Sequence, residues 1–267
     1  VLRKTVSRAR LMDVVAQQPA CLIGLEACSG AHEWARRFQA LGHTVKLMAP
    51  RFVAPYRKNA KNDGNDAEAI CEAVSRPSMR FVPIKTLEQQ AVLCLHRVRQ
   101  GFIEERTATI NRLRGLLAEF GYVLPQRAAE VRRSAVEWLE YLPAHAARAI
   151  RDLREHLRVL DERVKEYQRS IEAHARDHVG AKLVQQRLGI GPMTASAIVA
   201  SVGDVREFKN GRQFSAWLGL VPRQHSTGGK QRLGHITGRG DPYLRTLLVM
   251  GARSVLQRAS GETDPVS

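Results

Sequence analysis

Apolar positions follow two rhythms along this chain, and the change between them falls near residue 85. Before it, short apolar runs alternate with helical spacing. Residues 2–7 alternate apolar and polar and predict a strand. Leu11, Val14 and Val15 sit at helical spacing within residues 8–18. The run 21–26 reads as a buried strand that ends on Glu26. Ser29 and Gly30 open a helix bearing Trp34, Phe38 and Leu41, which Gly42 stops. Another strand over 43–48, a loop over 49–60, a helix from Asp63 to about Ser75 and a last strand over 79–84 follow. Strands alternating with helices predict an α/β sheet.

After residue 85 the rhythm is helical. Leu87, Ala91, Val98, Phe102, Ile110, Leu113 and Leu117 mark one long helix over 86–120, broken by Gly121 and Pro125. A shorter helix is predicted over 127–142. Ile150, Leu153, Leu157, Leu160, Val164, Tyr167 and Ile171 then recur at alternating spacings of three and four, which is a heptad seam. It predicts either a paired-helix, coiled-coil arm or a helix packed on its own domain. The predicted fold is therefore α/β plus all-α: a sheet domain over 1–85, a helical arm over 86–179, a mostly helical domain over 180–258 and a frayed tail over 259–267.

Charge adds a partner. Forty-two Lys and Arg oppose twenty-six Asp and Glu, a net of +16. Residues 1–85 hold 14 basic and 7 acidic residues, 86–179 hold 16 and 14, and 180–258 hold 12 and 3. The basic excess lies at the two ends, so a polyanion is expected between them, with the middle as spacer or dimer arm. Four cysteines, Cys21, Cys28, Cys71 and Cys94, lack paired metal-ligand spacing and read as reduced core or near-core residues. Trp34, Trp138 and Trp217 also read as core. His174 and His178 lie four apart but lack a third ligand. No apolar run is long enough to span a bilayer and there is no signal-peptide pattern, so the expected partners exclude membrane and the expected location is cytoplasmic, at the nucleoid.

The candidate chemistry begins with three acids. Asp63 and Asp66 are three apart at the start of an apolar-periodic helix, so both carboxylates are expected on one face of its first turn. Glu26 ends the strand beside it. Three converging carboxylates repel one another unless a cation sits among them, so a divalent-metal phosphoryl-transfer site is one reading. The other is a helix start favoured by capping and dipole, plus a strand-end acid. Lys61 flanks the pair.

Two glycine-bearing stretches follow. Residues 188–197, with Gly189, Gly191 and Thr194, suggest a helix-hairpin-helix-like turn whose backbone N–H groups meet a phosphate; a tight helix–helix turn is the alternative. Ser226 and Thr227 stand in a Gly-rich loop near Arg223, His225, Lys230 and Arg232. A hydroxyl there can attack a phosphodiester if cations and a metal stabilise the developing charge. The loop alone reads more simply as a flexible phosphate-binding turn. Arg239 and Arg245 are further candidate phosphate contacts.

Taken together, Gly24-Leu-Glu26-Ala, Lys61-Asn-Asp63-Gly-Asn-Asp66-Ala, Gly189-Ile-Gly-Pro-x-Thr-Ala195, Phe214-Ser-Ala-Trp-Leu-Gly-Leu-x-Pro222 and the Ser-Thr-Gly-Gly loop form an ordered set. That set resembles the DEDD-type insertion-sequence transposases of the IS-one-ten family, the bridge-RNA-guided recombinases. The likeness spans nearly the whole chain. It implies a RuvC-like, ribonuclease H-type sheet domain, a coiled-coil insertion and a C-terminal serine transposase domain. It also implies Mg²⁺ in a two-metal site and a serine joined covalently to DNA. The implied partners are DNA, a structured guide RNA and further copies of the chain, as dimer or tetramer.

By the same resemblance Glu26, Asp63 and Asp66 are the second, third and fourth acids. The first belongs on a strand expected before Val1, so the chain reads as N-terminally truncated and its acid set as incomplete. The family's serine directly precedes glycine. Here Thr227 holds that place and Ser226 the one before it, and the less hindered primary hydroxyl favours Ser226. The rival readings are a RuvC-like nuclease or junction resolvase without a covalent step, and a remnant that binds nucleic acid without cutting it.

Overall fold

In the computed structural model, which describes residues 4–58, 60, 62–124, 127, 129–131 and 137–259, the chain forms two compact units, Val1–Thr86 and Leu87–Ser267. The first is built on a small sheet. Strand β1 (Leu22–Glu26) runs parallel to β2 (Thr44–Met48), with Glu26 opposite Met48. The two-residue β3 (Phe81–Val82) pairs antiparallel on the far side of β2. Helix α1 (Leu11–Ala16) precedes the sheet, and α2 (Ala31–Ala40) connects its parallel strands.

Strand parity assigns the two faces of the sheet. Val45 and Leu47 of β2 pack on Ala31, Ala35 and Phe38 of α2, with Ile23 and Leu25 of β1 alongside. Met48, on the other parity, packs on Ala69 and Ala73 of α4 (Asp63–Val74). Gly24 belongs to this second face. A Cβ there would stand 3.0 Å from both Ile70 and Val74 side chains, so the missing side chain lets α4 lie directly on β1. Glu26, two residues on, inherits the same face.

Several expectations need correction here. Residues 4–7 are not a strand, and Leu2 and Arg3 lie outside the described residues. β1 is only half-buried, with Leu22 48% exposed, because among the described residues β2 is its only strand neighbour. The loop over 49–60 holds a short helix, α3 (Pro50–Val53), started by its proline, and a 3₁₀ turn at Ala54–Tyr56. All four cysteines are exposed rather than in or near the core.

The second unit is helical apart from one ribbon. Helix α5 (Leu87–Ala118) and helix α6 (Ala144–Asp177) lie antiparallel. The direction follows from their cross-pairs: Arg99 donates to Gln168 at 3.1 Å, Arg106 to Asp161 at 3.5 Å, and Glu105 meets His156 at 2.9 Å. Ile150, Leu157, Leu160, Val164 and Ile171 of the heptad seam are buried. Ile150 and Leu157 share a core with Ile110, Leu113 and Leu117 of α5. The seam is thus covered within the chain itself. Of the helix expected over 127–142, residues 128 and 132–136 lie outside the described residues; Leu139–Tyr141 is a 3₁₀ turn.

Beyond α6 come α7 (Val179–Gln185), α8 (Pro192–Val202), α9 (Gly211–Leu218) and α10 (Pro242–Ala259). Residues 194–198 and 200–202 of α8 are all buried, so this helix is the axis around which the others pack. The antiparallel strands β4 (Pro222–Gln224) and β5 (Leu233–Ile236) are exposed along their whole length. Trp34, Trp138 and Trp217 are partly buried against three different cores. No helix among the described residues is long and apolar enough to cross a membrane.

Candidate functional site

The acids come first. Asn62 caps α4, its Oδ1 accepting from the Asn65 backbone N–H at 2.8 Å, and this fixes where the helix starts. Asp63 is therefore the first helical residue and Asp66 the fourth. Glu26 and Asp66 line one cleft of about 140 Å³ with Pro50, Val53, Ala54, Arg57 and Ala69. Arg57 Nη1 donates to Asp66 Oδ1 at 3.2 Å, and both side chains are about one-third exposed. A cation already lies against this carboxylate, and it belongs to the protein.

Asp63 does not line the cleft and is exposed. Of the three expected acids, two, Glu26 and Asp66, share the cleft. Three residues advance a helix by about 300°, which leaves the two side chains only about 60° apart, but also by about 4.5 Å, so Asp63 lies further out along the axis, towards the helix start. Among the described residues no three of His, Cys, Asp and Glu gather as a metal cluster. Two hard carboxylates at a partly open cleft suit a divalent cation in type but are few for a complete site. Lys61 lies outside the described residues.

The glycine stretch at 188–197 is explained by packing. Gly189 has φ +78°, and a Cβ there would meet Gly251 O of α10 at 3.0 Å. A Cβ on Gly251 would lie only 2.0 Å from Gly189 O. The turn between α7 and α8 is therefore pressed onto α10, backbone to backbone. Thr194 is 5% exposed and points into the core, so it is no phosphate ligand in this arrangement. Gly191 remains open, and a methyl there would have no atom within 4 Å. Arg245 is also taken up internally: its Nη1 donates to Leu218 O at 3.1 Å and Gly240 O at 3.4 Å, satisfying the carbonyl end of α9.

The hydroxyl loop is different. Gly228 (φ +56°) and Gly229 (φ +76°) turn the chain between Thr227 and Lys230, a two-residue tip that demands positive φ twice. The Ser226 Oγ accepts from Gln224 Nε2 at 2.9 Å and from the Arg232 backbone N–H at 3.2 Å. Arg223, His225, Lys230, Arg232, His235 and Arg239 are exposed around it. Residues 208–240 carry six Lys and Arg and no acid. This is a cationic ribbon with a held hydroxyl at its end.

A second hydroxyl, Ser196 on α8, sits between His96 Nε2 at 3.0 Å and His174 Nδ1 at 2.9 Å, and His96 Nδ1 meets the Tyr243 hydroxyl at 3.0 Å. Ser196 is fully buried, and this chain of groups joins four helices, α5, α6, α8 and α10. Burial, then the nearby charges of His174 and Arg99, pushes His96 down to about 4. Burial and then His178 lower His174 as well.

Known proteins with this sequence pattern agree with the two halves. The family described as transposase of IS116/IS110/IS902 elements matches residues 181–265, and a DEDD-type transposase family of IS110 elements matches 3–121. A probable family 20 transposase of Pseudomonas aeruginosa is 50% identical across 99% of this chain and 80% of its own length. The chain belongs to the IS110/IS116/IS902 family of transposases. The transposase for IS1328 of Yersinia enterocolitica is 44% identical over 97% of this chain and 78% of its length, and that for IS1111A of Coxiella burnetii 40% identical over 100% and 74%.

Sequence reasoning missed two side chains of this IS110-family transposase. Arg57 lies in the 49–60 segment, where no periodicity marks it. Gln224 ends β4 two residues before Ser226, which lies beyond the strand, so strand periodicity gave no signal for their contact.

Proposed function

We propose that this transposase breaks and joins the DNA of an insertion sequence through a serine–DNA link, with Ser226 as the nucleophile. The observation that carries the reading is the Ser226 hydroxyl, held by two N–H donors on an exposed ribbon whose charged neighbours are all cationic. Arg223, Lys230, Arg232 and Arg239 take DNA phosphates there. In this reading residues 1–85 are a RuvC-like acid-bearing domain, 86–179 a coiled-coil arm and 180–258 the hydroxyl-bearing domain. A structured RNA selects the site, and the active form is an oligomer.

Glu26 and Asp66 would hold Mg²⁺, with Asp63 as the third acid of the set. The cation would supply Lewis-acid stabilisation of phosphoryl charge. What the chain itself contributes is two carboxylates at one cleft and an arginine, Arg57, paired with Asp66.

The test is a denaturing-gel assay for a protein–DNA adduct, using a labelled duplex of the element's own joined ends and the RNA transcribed from its flank. Ser226→Ala should abolish the adduct and Thr227→Ala should leave most of it. Retention of the adduct in Ser226→Ala would overturn the assignment. A second reading, binding without cutting, rests on Arg57, which already pairs with the Asp66 carboxylate at 3.2 Å. It predicts DNA binding with no adduct in any version of the chain.

A further inference from the structure

We infer that Gln224 is a positioning residue for strand joining: with the Arg232 backbone amide it holds Ser226 Oγ as an alkoxide and aims the lone pair that attacks phosphorus. The inference rests on Ser226 being the nucleophile, as proposed above.

A neutral serine hydroxyl has one proton to give and two lone pairs to accept with. At Ser226 both acceptor positions are filled, by Gln224 Nε2 at 2.9 Å and Arg232 N at 3.2 Å. Loss of the proton creates a third lone pair, which must point where the O–H pointed. Two fixed donors therefore define the direction of attack. They also stabilise the charged oxygen more than the neutral one, which favours deprotonation.

The clamp is anchored on the ribbon. The Arg232 carbonyl accepts from His225 N at 2.9 Å, and Thr227 bridges Lys230 across the glycine tip. These contacts fix the Arg232 amide relative to Ser226. Gln224 is the last residue of β4, two positions before Ser226, and the paired strand fixes its backbone while its side chain reaches Ser226 Oγ. Among the described residues no side-chain hydrogen bond holds the Thr227 hydroxyl. The two neighbouring hydroxyls are thus unlike: one is clamped and the other is not.

In the step itself the Ser226 O–H proton passes to water. Oγ forms a bond to the DNA phosphorus, one phosphorus–oxygen ester bond breaks, and the departing deoxyribose oxygen takes up a proton. No electrons are transferred, and the reverse displacement by a new deoxyribose hydroxyl regenerates Ser226.

The experiment measures single-turnover adduct formation against pH with the full chain, the labelled joined-end duplex and the flank RNA. Gln224→Ala should slow the adduct about 10- to 100-fold, as expected for losing a donor to a charged oxygen. Its pH–rate profile should move to higher pH. Gln224→Glu, which can only accept, should be at least as slow. Gln224→Lys, which can only donate, should recover part of the rate. Equal rates in all three, or an unmoved pH profile, would overturn the role of Gln224. So would a fast Gln224→Glu, since it would make the side chain a proton acceptor. If Ser226→Ala keeps the adduct, or wild type forms none, the nucleophile assignment falls and takes this inference with it. If Ser226→Ala alone loses the adduct while the Gln224 variants match wild type, only this inference falls.

Discussion

At the scale of single residues, the glycines separate into those that accommodate a neighbour and those that do not. Gly251 has Gly189 O only 2.0 Å from where a methyl would stand, and both atoms belong to backbone that cannot rotate aside. Gly251→Ala should therefore cost at least about 2–3 kcal/mol of stability, at the upper end of overpacking. Gly191→Ala meets open space and should cost less than about 1 kcal/mol, most of it from the helix cap. Urea denaturation of the two variants measures the difference. Comparable losses would show that the crossing is not close. The sequence placed Gly189 in a turn correctly but not the surface it faces. A glycine pressed on a helix and a glycine offered to a phosphate share one letter. The same limit hid the split between Asp63 and Asp66, since spacing gives the angle between two side chains and not which of them meets the sheet.

At the scale of elements, periodicity named the buried faces well. The helices over 63–75 and 86–120 and the seam from Ile150 to Ile171 were legible because each pairs a 3.6-residue rhythm with apolar bulk. What the rhythm could not give was the covering partner, here α5 of the same chain, or the polar chain buried among α5, α6, α8 and α10. That chain sets a pH dependence. His96 is held near 4 by burial, below the ordinary value of 6.5, so the unfolded state binds the extra proton between these two values. Its contribution is complete above pH 6.5 and is lost as pH falls towards 4, amounting to on the order of 3 kcal/mol. The midpoint of thermal unfolding should drop through that window in wild type. In His96→Gln the drop should be shallower, and an identical slope would show that other groups dominate.

At the scale of the molecule, charge was the most legible property, and family membership gives it an object. If Arg223, Lys230 and Arg232 each neutralise one duplex phosphate, replacing all three with alanine should flatten the log–log salt dependence of DNA binding by about 2.7, from about 0.9 per contact. An unchanged slope in fluorescence anisotropy would place the DNA elsewhere. The ribbon that bears them leaves the helical body through a narrow waist. Gly240 lies so close to Leu218 that a Cβ would overlap its carbonyl, Gly238 N donates to Gly219 O at 3.0 Å, and Arg245 ties Leu218 to Gly240. Because the two ends of the excursion are fastened to each other, changes in its outer part need not propagate into α9 or α10. Evolution can lengthen, recharge or retune that protrusion for a new DNA while the body that carries it keeps its shape.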